Sequence, residues 1–257
     1  MTQTVLPSPS PDWAYFFDLD GTLVELAPVP TGVHADDALR QLIRELALAA
    51  DGAVAIVTGR PISDIDRLFP DVRLPVAGQH GCERRNALGQ FTRHPFASTG
   101  LEAARRTLQQ VVARRTELLL EDKGMSLALH YRQAPRLAAY AHRVMHAVQH
   151  ASGNGFCVQA GKRVVELKPA GRDKGMAIVE FMQEIPFHGR IPVFIGDDVT
   201  DEQGFDVINK LGGMSVKVGR GRTSARWQIQ NVRSVREWLS QHVGHSAPPP
   251  VTGGGTT

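Results

Sequence analysis

Two aspartates that lie two residues apart close an apolar run near the start of the chain. In the stretch YFFDLDGTLV, Asp18 and Asp20 follow apolar residues and precede Gly21, which lets the backbone turn sharply. Neighbouring carboxylates repel each other, and this repulsion is costly unless a cation or a proton lies close by. The pair therefore predicts a site that handles a cation, a phosphate or a transferable proton.

A second acidic cluster follows another apolar run. The stretch GDDVTDE contains Asp197, Asp198 and Asp201 directly after PVFIG. Five carboxylates at one edge of a sheet repel each other unless a cation lies among them, and hard oxygen donors without His or Cys suit Mg²⁺. The alternative is that one of these acids caps a helix, since Asp and Thr are good N-caps. Capping needs one acid and not three, so we expect the two clusters to bind Mg²⁺ together.

Two further segments supply donors and a positive charge. Thr58 and Gly59 end the run AVAIV with a hydroxyl and an unobstructed backbone N–H, a pairing that can bind phosphate oxygens. Lys174 stands at the start of a predicted helix, where it is available as a point charge. Each feature alone is typical of an ordinary turn or of a solvated surface, but the four segments in this order form a specific set.

The elements that must position these residues alternate along the chain. Short apolar runs, typical of strands buried on both faces of a parallel sheet, are separated by amphipathic helical segments. This alternation predicts a doubly wound α/β domain with its ligand site beyond the carboxyl ends of the strands. The runs are WAYFF (13–17), AVAIV (53–57), LPVAG (74–78) and PVFIG (192–196), and the helical stripes are Leu39, Leu42, Ile43, Leu46 and Ala50, and Met176, Val179, Met182 and Ile185.

Residues 100–168 have a different pattern. Two helical stretches accompany the strand-like alternation of SLALHYR (126–132) and KRVVELK (162–168). A small sheet backed by two helices predicts an inserted α+β domain. The free face of that sheet carries His, Arg, Glu and Lys side chains, so it is either merely solvated or faces a polyhydroxylated, charged ligand across a cleft.

Composition excludes several classes of protein. The chain has 257 residues, of which 42% are hydrophobic and 21% charged, with a net charge of +3, and its arginine pairs do not form the dense basic stripe of a nucleic-acid-binding protein. Cys82 and Cys157 lack a CxxC spacing, which favours reduced thiols in the cytoplasm. No apolar stretch approaches the roughly 18 residues that span a bilayer, and we expect no signal peptide and no membrane partner.

Both ends of the chain are rich in proline, glycine and small polar residues, a composition that cannot bury enough apolar surface to order itself. We therefore predict disordered tails at 1–11 and 244–257. The α/β core is expected at 12–99 and 169–243, with the inserted domain at 100–168.

The four polar segments together resemble the motifs of the haloacid dehalogenase superfamily of phosphatases. They fall at residues 18–22, 58–60, 174 and 196–201. Further strings resemble the trehalose-6-phosphate phosphatase family within it: AGQHGCE (77–83), LEDKGMSLALHYR (120–132), VVELKPAGRDKG (164–175) and GDDVTDE (196–202). The sequence departs from that pattern at Gly204, where relatives more often carry Asp-Ala before Phe, and at Gln79, which lies in a variable loop.

This resemblance implies a Rossmann-like core with an α+β cap and a Mg²⁺-dependent phosphatase that hydrolyses trehalose 6-phosphate. Asp18 would be the nucleophile that forms an aspartyl-phosphate, and Asp20 the general acid and base. Mg²⁺ would be bound by Asp18, the carbonyl of Asp20 and Asp197, with Asp198 and Asp201 orienting metal-bound water or Lys174. The phosphate would contact Leu19, Asp20, Thr58, Gly59 and Lys174, and the sugar would contact His80, Gly81, Glu83, Lys123, Ser126, His130, Arg132, Glu166 and Lys168.

Three alternatives stay open at this point. The first is a phosphatase for another sugar phosphate, of the sucrose-phosphate or mannosylglycerate-phosphate type. The second is a phosphomutase. The third is a non-catalytic regulator that binds sugar phosphates, or a module of a larger synthase complex, although the chain contains every carboxylate that the chemistry needs. The working interpretation is a monomer with a small-molecule substrate and no nucleic-acid partner.

Overall fold

The N-terminal part of the chain builds one half of a large sheet. The structure, a computed structural model, describes residues 5–96 and 98–243. Its apolar runs form strands because their side chains are buried on both faces. The elements are β1 (Trp13–Phe17), α1 (Asp37–Ala49), β2 (Val54–Val57), α2 (Ile62–Leu68), β3 (Val76–Gly78), β4 (Glu83–Arg85) and β5 (Phe91–Arg93).

A second, smaller sheet is inserted after β5 and forms the cap. Its four antiparallel strands pack against two helices around a hydrophobic cluster of their own, which includes Leu108, Leu127 and Leu129. This arrangement confirms the predicted α+β insertion. The elements of the cap are α3 (Ser98–Arg114), β6 (Leu119–Asp122), β7 (Leu127–His130), α4 (Ala138–Ser152), β8 (Phe156–Gly161) and β9 (Val164–Pro169), with the strand order β6-β7-β9-β8.

The chain then returns to complete the core. The strands of the large sheet follow the order β12-β11-β10-β1-β2-β3-β4-β5, parallel as far as β3 and antiparallel at β4 and β5. The predicted doubly wound, mostly parallel sheet is therefore confirmed. The closing elements are α5 (Lys174–Met182), β10 (Ile191–Gly196), α6 (Glu202–Lys210), β11 (Met214–Val218), β12 (Trp227–Ile229) and α7 (Val232–Val243).

The register of the central strands brings the polar segments to one edge. Phe17 on β1 pairs with Ile195 on β10 and with Ile56 on β2. The three strands therefore end at nearly the same level, since they run parallel. The residues that follow them, including Asp18 and Thr58, meet at the carboxyl edge of the sheet, where α/β proteins bind ligands.

The buried face of α5 is not the one that the periodicity predicted. Met176 and Ile185 are 42% and 79% exposed, whereas Ala177, Ile178 and Phe181 are buried against the core. Phe181 packs against Phe187 at a ring distance of 5.2 Å. Because KGMAIVEFM is apolar on more than one side, its spacing cannot select the face that meets the sheet. The stripe predicted for α1 is buried as expected.

Part of the predicted N-terminal tail contacts the core. The indole Nε1 of Trp238 donates to the backbone carbonyl of Pro7 at 2.9 Å, and the hydroxyl of Tyr15 donates to the backbone carbonyl of Ser10 at 2.8 Å. In residues 5–11 the structure thus differs from the prediction, because a side chain of α7 binds this segment. Residues 1–4 and 244–257 lie outside the described residues. Across the described ranges, every helix is too short or too polar to cross a membrane.

Candidate active site

Three buried carboxylates form the centre of the site. Asp18, Asp197 and Asp201 each contribute one oxygen to a group in which all oxygens lie within 4.8 Å of one another. Gly21, with φ of 82°, makes this approach possible, because a Cβ at that position would lie 2.2 Å from Oδ2 of Asp197. The two acidic segments of the sequence therefore do converge, as their positions after β1 and β10 predicted.

Lys174 joins two of these carboxylates. Its Nζ lies 2.7 Å from Oδ1 of Asp18 and 2.6 Å from Oδ1 of Asp201. Asp173 caps α5 by accepting from the N–H of Met176 at 2.8 Å, so Lys174 begins the helix and points into the cluster. Burial lowers the pKa of Lys174, but the two carboxylates outweigh burial and the net shift is upward. The side chain is therefore a buried cation.

Asp201 has a positioning role in this arrangement. Its Oδ2 accepts from the backbone N–H groups of Asp197 at 2.9 Å and of Asp198 at 2.8 Å, while Oδ1 meets Lys174. Asp198 and Asp201 also form a capping box at the helical turn Val199–Asp201. The capping interpretation is thus correct for these two acids, but it leaves Asp18 and Asp197 without a capping role.

Neighbouring cations do not fully compensate the charges of Asp18 and Asp197. Burial raises the pKa of Asp18 well above its usual range despite the opposing effect of Lys174. Burial raises the pKa of Asp197 to about 6, although Lys162 acts in the opposite direction. Oδ1 of Asp197 bonds to no described residue. A donor set of uncompensated carboxylate oxygens, without His or Cys, fits a hard divalent cation.

Asp20 faces a guanidinium that the sequence analysis did not select. Arg60 meets both of its carboxylate oxygens, with Nε 2.6 Å from Oδ2 and Nη2 2.8 Å from Oδ1. The backbone N–H of Arg60 donates to Oγ1 of Thr58 at 3.1 Å, which links this pair to the Thr-Gly-Arg turn. The position of Arg60 within that motif was the signal that could have found it.

Glu166, on β9 of the cap, contacts residues of both the cap and the core. It accepts from Nζ of Lys123 at 3.1 Å and from Oγ of Ser126 at 2.6 Å, and it lies 3.2 Å from Nε2 of His80. Lys123 also donates to the carbonyl of Gly59 at 3.1 Å. Burial raises the pKa of Glu166, but Lys123 and His80 outweigh it and the pKa falls well below its usual range. Glu166 is therefore an ionised acceptor.

His80 lies between Glu166 and the predicted phosphate-binding turn. Burial lowers the pKa of His80, which makes the ring neutral. Because Glu166 is an acceptor, Nε2 carries the proton, and Nδ1 is a buried atom without a partner among the described residues. Gly59 packs directly on the ring, since a Cβ there would lie 2.8 Å from Nε2.

The turn between β8 and β9 brings a second lysine to the acidic cluster. Nζ of Lys162 contacts Oδ2 of Asp197, and its backbone N–H donates to Oδ2 of Asp198 at 3.0 Å. Arg132 donates to the carbonyl of Lys162 at 3.3 Å. Sequence reasoning placed Lys162 on the polar face of KRVVELK but did not select it, because its contact with Asp197 depends on how the cap meets the core.

These groups line one cleft between core and cap, with a cavity volume of about 150 Å³. Beyond the predicted set, its lining includes Arg60, Glu121 and Lys162, and Glu121 lies 2.8 Å from Nε2 of His130. The predicted residues that line the cleft are Asp18, Asp20, Thr58, Gly59, His80, Lys123, His130, Arg132, Glu166, Lys174, Asp197 and Asp198.

The other predicted residues lie outside the cleft lining: Leu19, Gly81, Glu83, Ser126, Lys168 and Asp201. Glu83 accepts from the N–H of Ile62 at 2.7 Å, at the start of α2. Lys168 donates to the carbonyl of Arg172. These contacts give the two side chains structural partners, so their predicted contact with a sugar remains a prediction.

Comparison with known proteins identifies the family. The family model described as trehalose-phosphatase matches residues 16–235. The chain belongs to the trehalose-phosphatase family. It is 45% identical over 240 residues to the trehalose-6-phosphate phosphatase of Escherichia coli strain K12, an alignment that covers 92% of this chain and 88% of that protein. The phosphatase is therefore a phosphoric monoester hydrolase, and its family implies a divalent metal and a sugar-phosphate substrate.

Solved structures share its fold. The C-terminal domain of C. albicans trehalose-6-phosphate phosphatase superposes with a TM-score of 0.81 at 22% identity, covering 91% of the phosphatase and 93% of that chain. A haloacid dehalogenase-like hydrolase from B. subtilis gives a TM-score of 0.60 at 14% identity, covering 88% of this chain and 99% of that chain. At these identities the likeness concerns the fold alone, and it confirms the predicted α/β fold class.

Proposed function

We propose that the phosphatase hydrolyses trehalose 6-phosphate to trehalose and inorganic phosphate, with Mg²⁺ as its metal and Asp18 as its nucleophile. The observation that carries this proposal is the position of Asp18. It lies beside Lys174 at the core end of a cleft whose other wall is the polar face of the cap. The resemblance to the E. coli trehalose-6-phosphate phosphatase supports the choice of substrate.

Two displacements at phosphorus account for the reaction. The carboxylate of Asp18 attacks phosphorus in line, the bond from phosphorus to the sugar oxygen breaks, and Asp20 gives its proton to that oxygen as trehalose leaves. Asp20 then takes a proton from water, whose oxygen attacks the phosphorus of the aspartyl-phosphate. The bond to Asp18 breaks, and inorganic phosphate is released. For the first step Asp20 must exchange at least one contact with Arg60 for a proton, because Arg60 meets both carboxylate oxygens.

A dianionic phosphate needs positive charge to approach Asp18. Lys174 supplies one buried charge, and Thr58 and the backbone N–H of Gly59 supply donors at the end of β2. Asp18, Asp197 and the backbone carbonyl of Asp20 would hold Mg²⁺. The ion would add charge that stabilises the developing negative charge on the phosphoryl oxygens.

The cap supplies the sugar specificity in this proposal. Lys123, His130, Arg132 and Glu166 line the cleft opposite the catalytic carboxylates. Lys123 and Glu166 are already fixed by contacts with the core residues Gly59 and His80, so they are held in place for a ligand. We also place the enzyme in the cytoplasm, an assignment supported by its two free cysteines, Cys82 and Cys157.

Phosphate release from a panel of sugar phosphates tests the proposal. The panel contains trehalose 6-phosphate, glucose 6-phosphate, sucrose 6-phosphate and mannosylglycerate phosphate, each assayed with and without Mg²⁺. We expect release from trehalose 6-phosphate to exceed all others and to require the metal. Release from trehalose 6-phosphate no faster than from glucose 6-phosphate would refute the substrate assignment. Tight binding without any release would favour the regulator instead.

A further inference from the structure

The strands of the cap place a row of side chains on the face that lines the cleft. Glu121 on β6 lies opposite Ala128 on β7, Ala128 lies opposite Glu166 on β9, and Glu166 lies opposite Gln159 on β8. Directly opposed residues of antiparallel strands share a face of the sheet. Glu121, Glu166 and Gln159 all line the cleft, so Gln159 belongs to the same surface as the two carboxylates.

Glu121 and Glu166 have hydrogen-bond partners, whereas the amide of Gln159 has none among the described residues. Glu121 lies 2.8 Å from His130, and Glu166 contacts Lys123, Ser126 and His80. Oε1 of Gln159 is buried without a hydrogen-bond partner, and its Nε2 bonds to no described residue. A buried amide oxygen without a donor is unfavourable and rare in folded proteins. The side chain therefore requires a partner that the described part of the chain does not provide.

We infer that Gln159 binds hydroxyl groups of the sugar and contributes to substrate specificity. This inference rests on the proposed function. An amide offers one acceptor and two donors on neighbouring atoms, and a sugar hydroxyl can both donate and accept. A phosphate oxygen is the wrong partner, because the ionised Glu166 directly opposite Gln159 repels anions.

The position of Gln159 agrees with a sugar contact. It lies three residues before Lys162, whose Nζ contacts Asp197 at the catalytic end of the cleft. A strand rises about 3.3 Å per residue, so the backbone of Gln159 lies within roughly 10 Å of the backbone of Lys162, whose side chain reaches towards that end. A sugar attached to a phosphate at Asp18 extends over such a distance.

Kinetics of Gln159→Met test the inference. Methionine keeps the length of the side chain and removes the amide. We expect the KM for trehalose 6-phosphate to rise about tenfold, since hydrogen bonds of this kind contribute on the order of a factor of ten to binding, while kcat stays within about twofold. Hydrolysis of p-nitrophenyl phosphate, which has no sugar, should be unchanged. Gln133→Met is the matched control, because Gln133 is an exposed glutamine of the cap outside the cleft lining.

The outcomes separate this inference from the proposed function. If wild-type enzyme prefers trehalose 6-phosphate and Gln159→Met leaves its KM unchanged, Gln159 does not bind the sugar. An equal loss on p-nitrophenyl phosphate also overturns the inference, since it indicates damage to the fold or to the chemistry. Gln159→Asn, which keeps a shortened amide, should recover part of the lost affinity. A wild-type enzyme without preference for trehalose 6-phosphate refutes the proposed function, whatever the variants do.

Discussion

Adding a single methyl group at Gly59 tests the packing between the phosphate-binding turn and the cap. In Gly59→Ala the new Cβ would lie 2.8 Å from Nε2 and 2.9 Å from Cε1 of His80, closer than van der Waals contact allows. The backbone of Gly59 does not have a positive φ, so the penalty arises from this clash and not from the backbone. The buried ring must move, and its contact with Glu166 at 3.2 Å must lengthen.

Two contributions set the expected loss of stability in Gly59→Ala. Overpacking a well-packed interior costs about 1–3 kcal/mol. Losing a hydrogen bond to a charged group costs about 1.5–3 kcal/mol. Because the two costs overlap when the ring shifts, we expect Gly59→Ala to lower the free energy of unfolding by about 3 kcal/mol, measured by urea denaturation. Turnover of trehalose 6-phosphate should fall as well, since Glu166 and the Thr58-Gly59 turn lose their common neighbour.

A double-mutant cycle isolates the clash. His80→Asn removes the distal ring atoms, and asparagine tolerates the left-handed backbone at this position, where φ is 57°. In the His80→Asn background, Gly59→Ala should cost less than about 0.5 kcal/mol, which gives a coupling energy of about 2 kcal/mol or more. Equal costs in both backgrounds would show that the ring does not constrain Gly59, and the packing argument would fail.

Three further predictions follow from the site. Asp18→Asn should abolish turnover while calorimetry still detects binding of trehalose 6-phosphate; activity within tenfold of wild type would place the nucleophile elsewhere. Glu166→Gln should raise the KM for trehalose 6-phosphate far more than that for p-nitrophenyl phosphate, because Lys123 and His80 lose a charged partner; equal effects would remove Glu166 from sugar binding. Burial raises the pKa of Asp197 to about 6, so that in metal-free protein the carboxyl favours folding below its unfolded pKa and loses this contribution as pH rises through 6. Stabilisation by Mg²⁺ in thermal unfolding should therefore be greater at pH 7.5 than at pH 5, and the same shift at both pH values would contradict a role for Asp197 in metal binding.

The core of the site could be predicted from the sequence because its motifs follow buried strands. Runs such as WAYFF and PVFIG can only be placed in the interior of a sheet, and parallel strands bring their carboxyl ends to one edge. Asp18, Thr58, Lys174 and Asp197 therefore meet in the structure as expected. The stripe of α5 was predicted on the wrong face, because that segment is apolar on more than one side and only packing against the sheet decides which side is buried.

The contacts between cap and core were beyond sequence reasoning. Nothing in the spacing of KRVVELK shows that Lys162 reaches Asp197, since this contact depends on the relative position of two sheets. Gly204 illustrates the same limit. As a helix residue it is unfavourable, yet a Cβ there would lie 2.4 Å from Cε1 of Phe194, so the packing of α6 on the sheet requires glycine.

The charges at the centre of the site explain why its carboxylates tolerate each other. Asp18, Asp197 and Asp201 contribute three negative charges when ionised, and Lys174 and Lys162 contribute two positive ones. Burial, which these lysines offset only in part, raises the pKa values of Asp18 and Asp197. A divalent cation would add two positive charges to this group, which favours the approach of a dianionic phosphate. The acidic pair in YFFDLDGTLV therefore depends on cations supplied from elsewhere in the chain, Arg60 for Asp20 and Lys174 for Asp18.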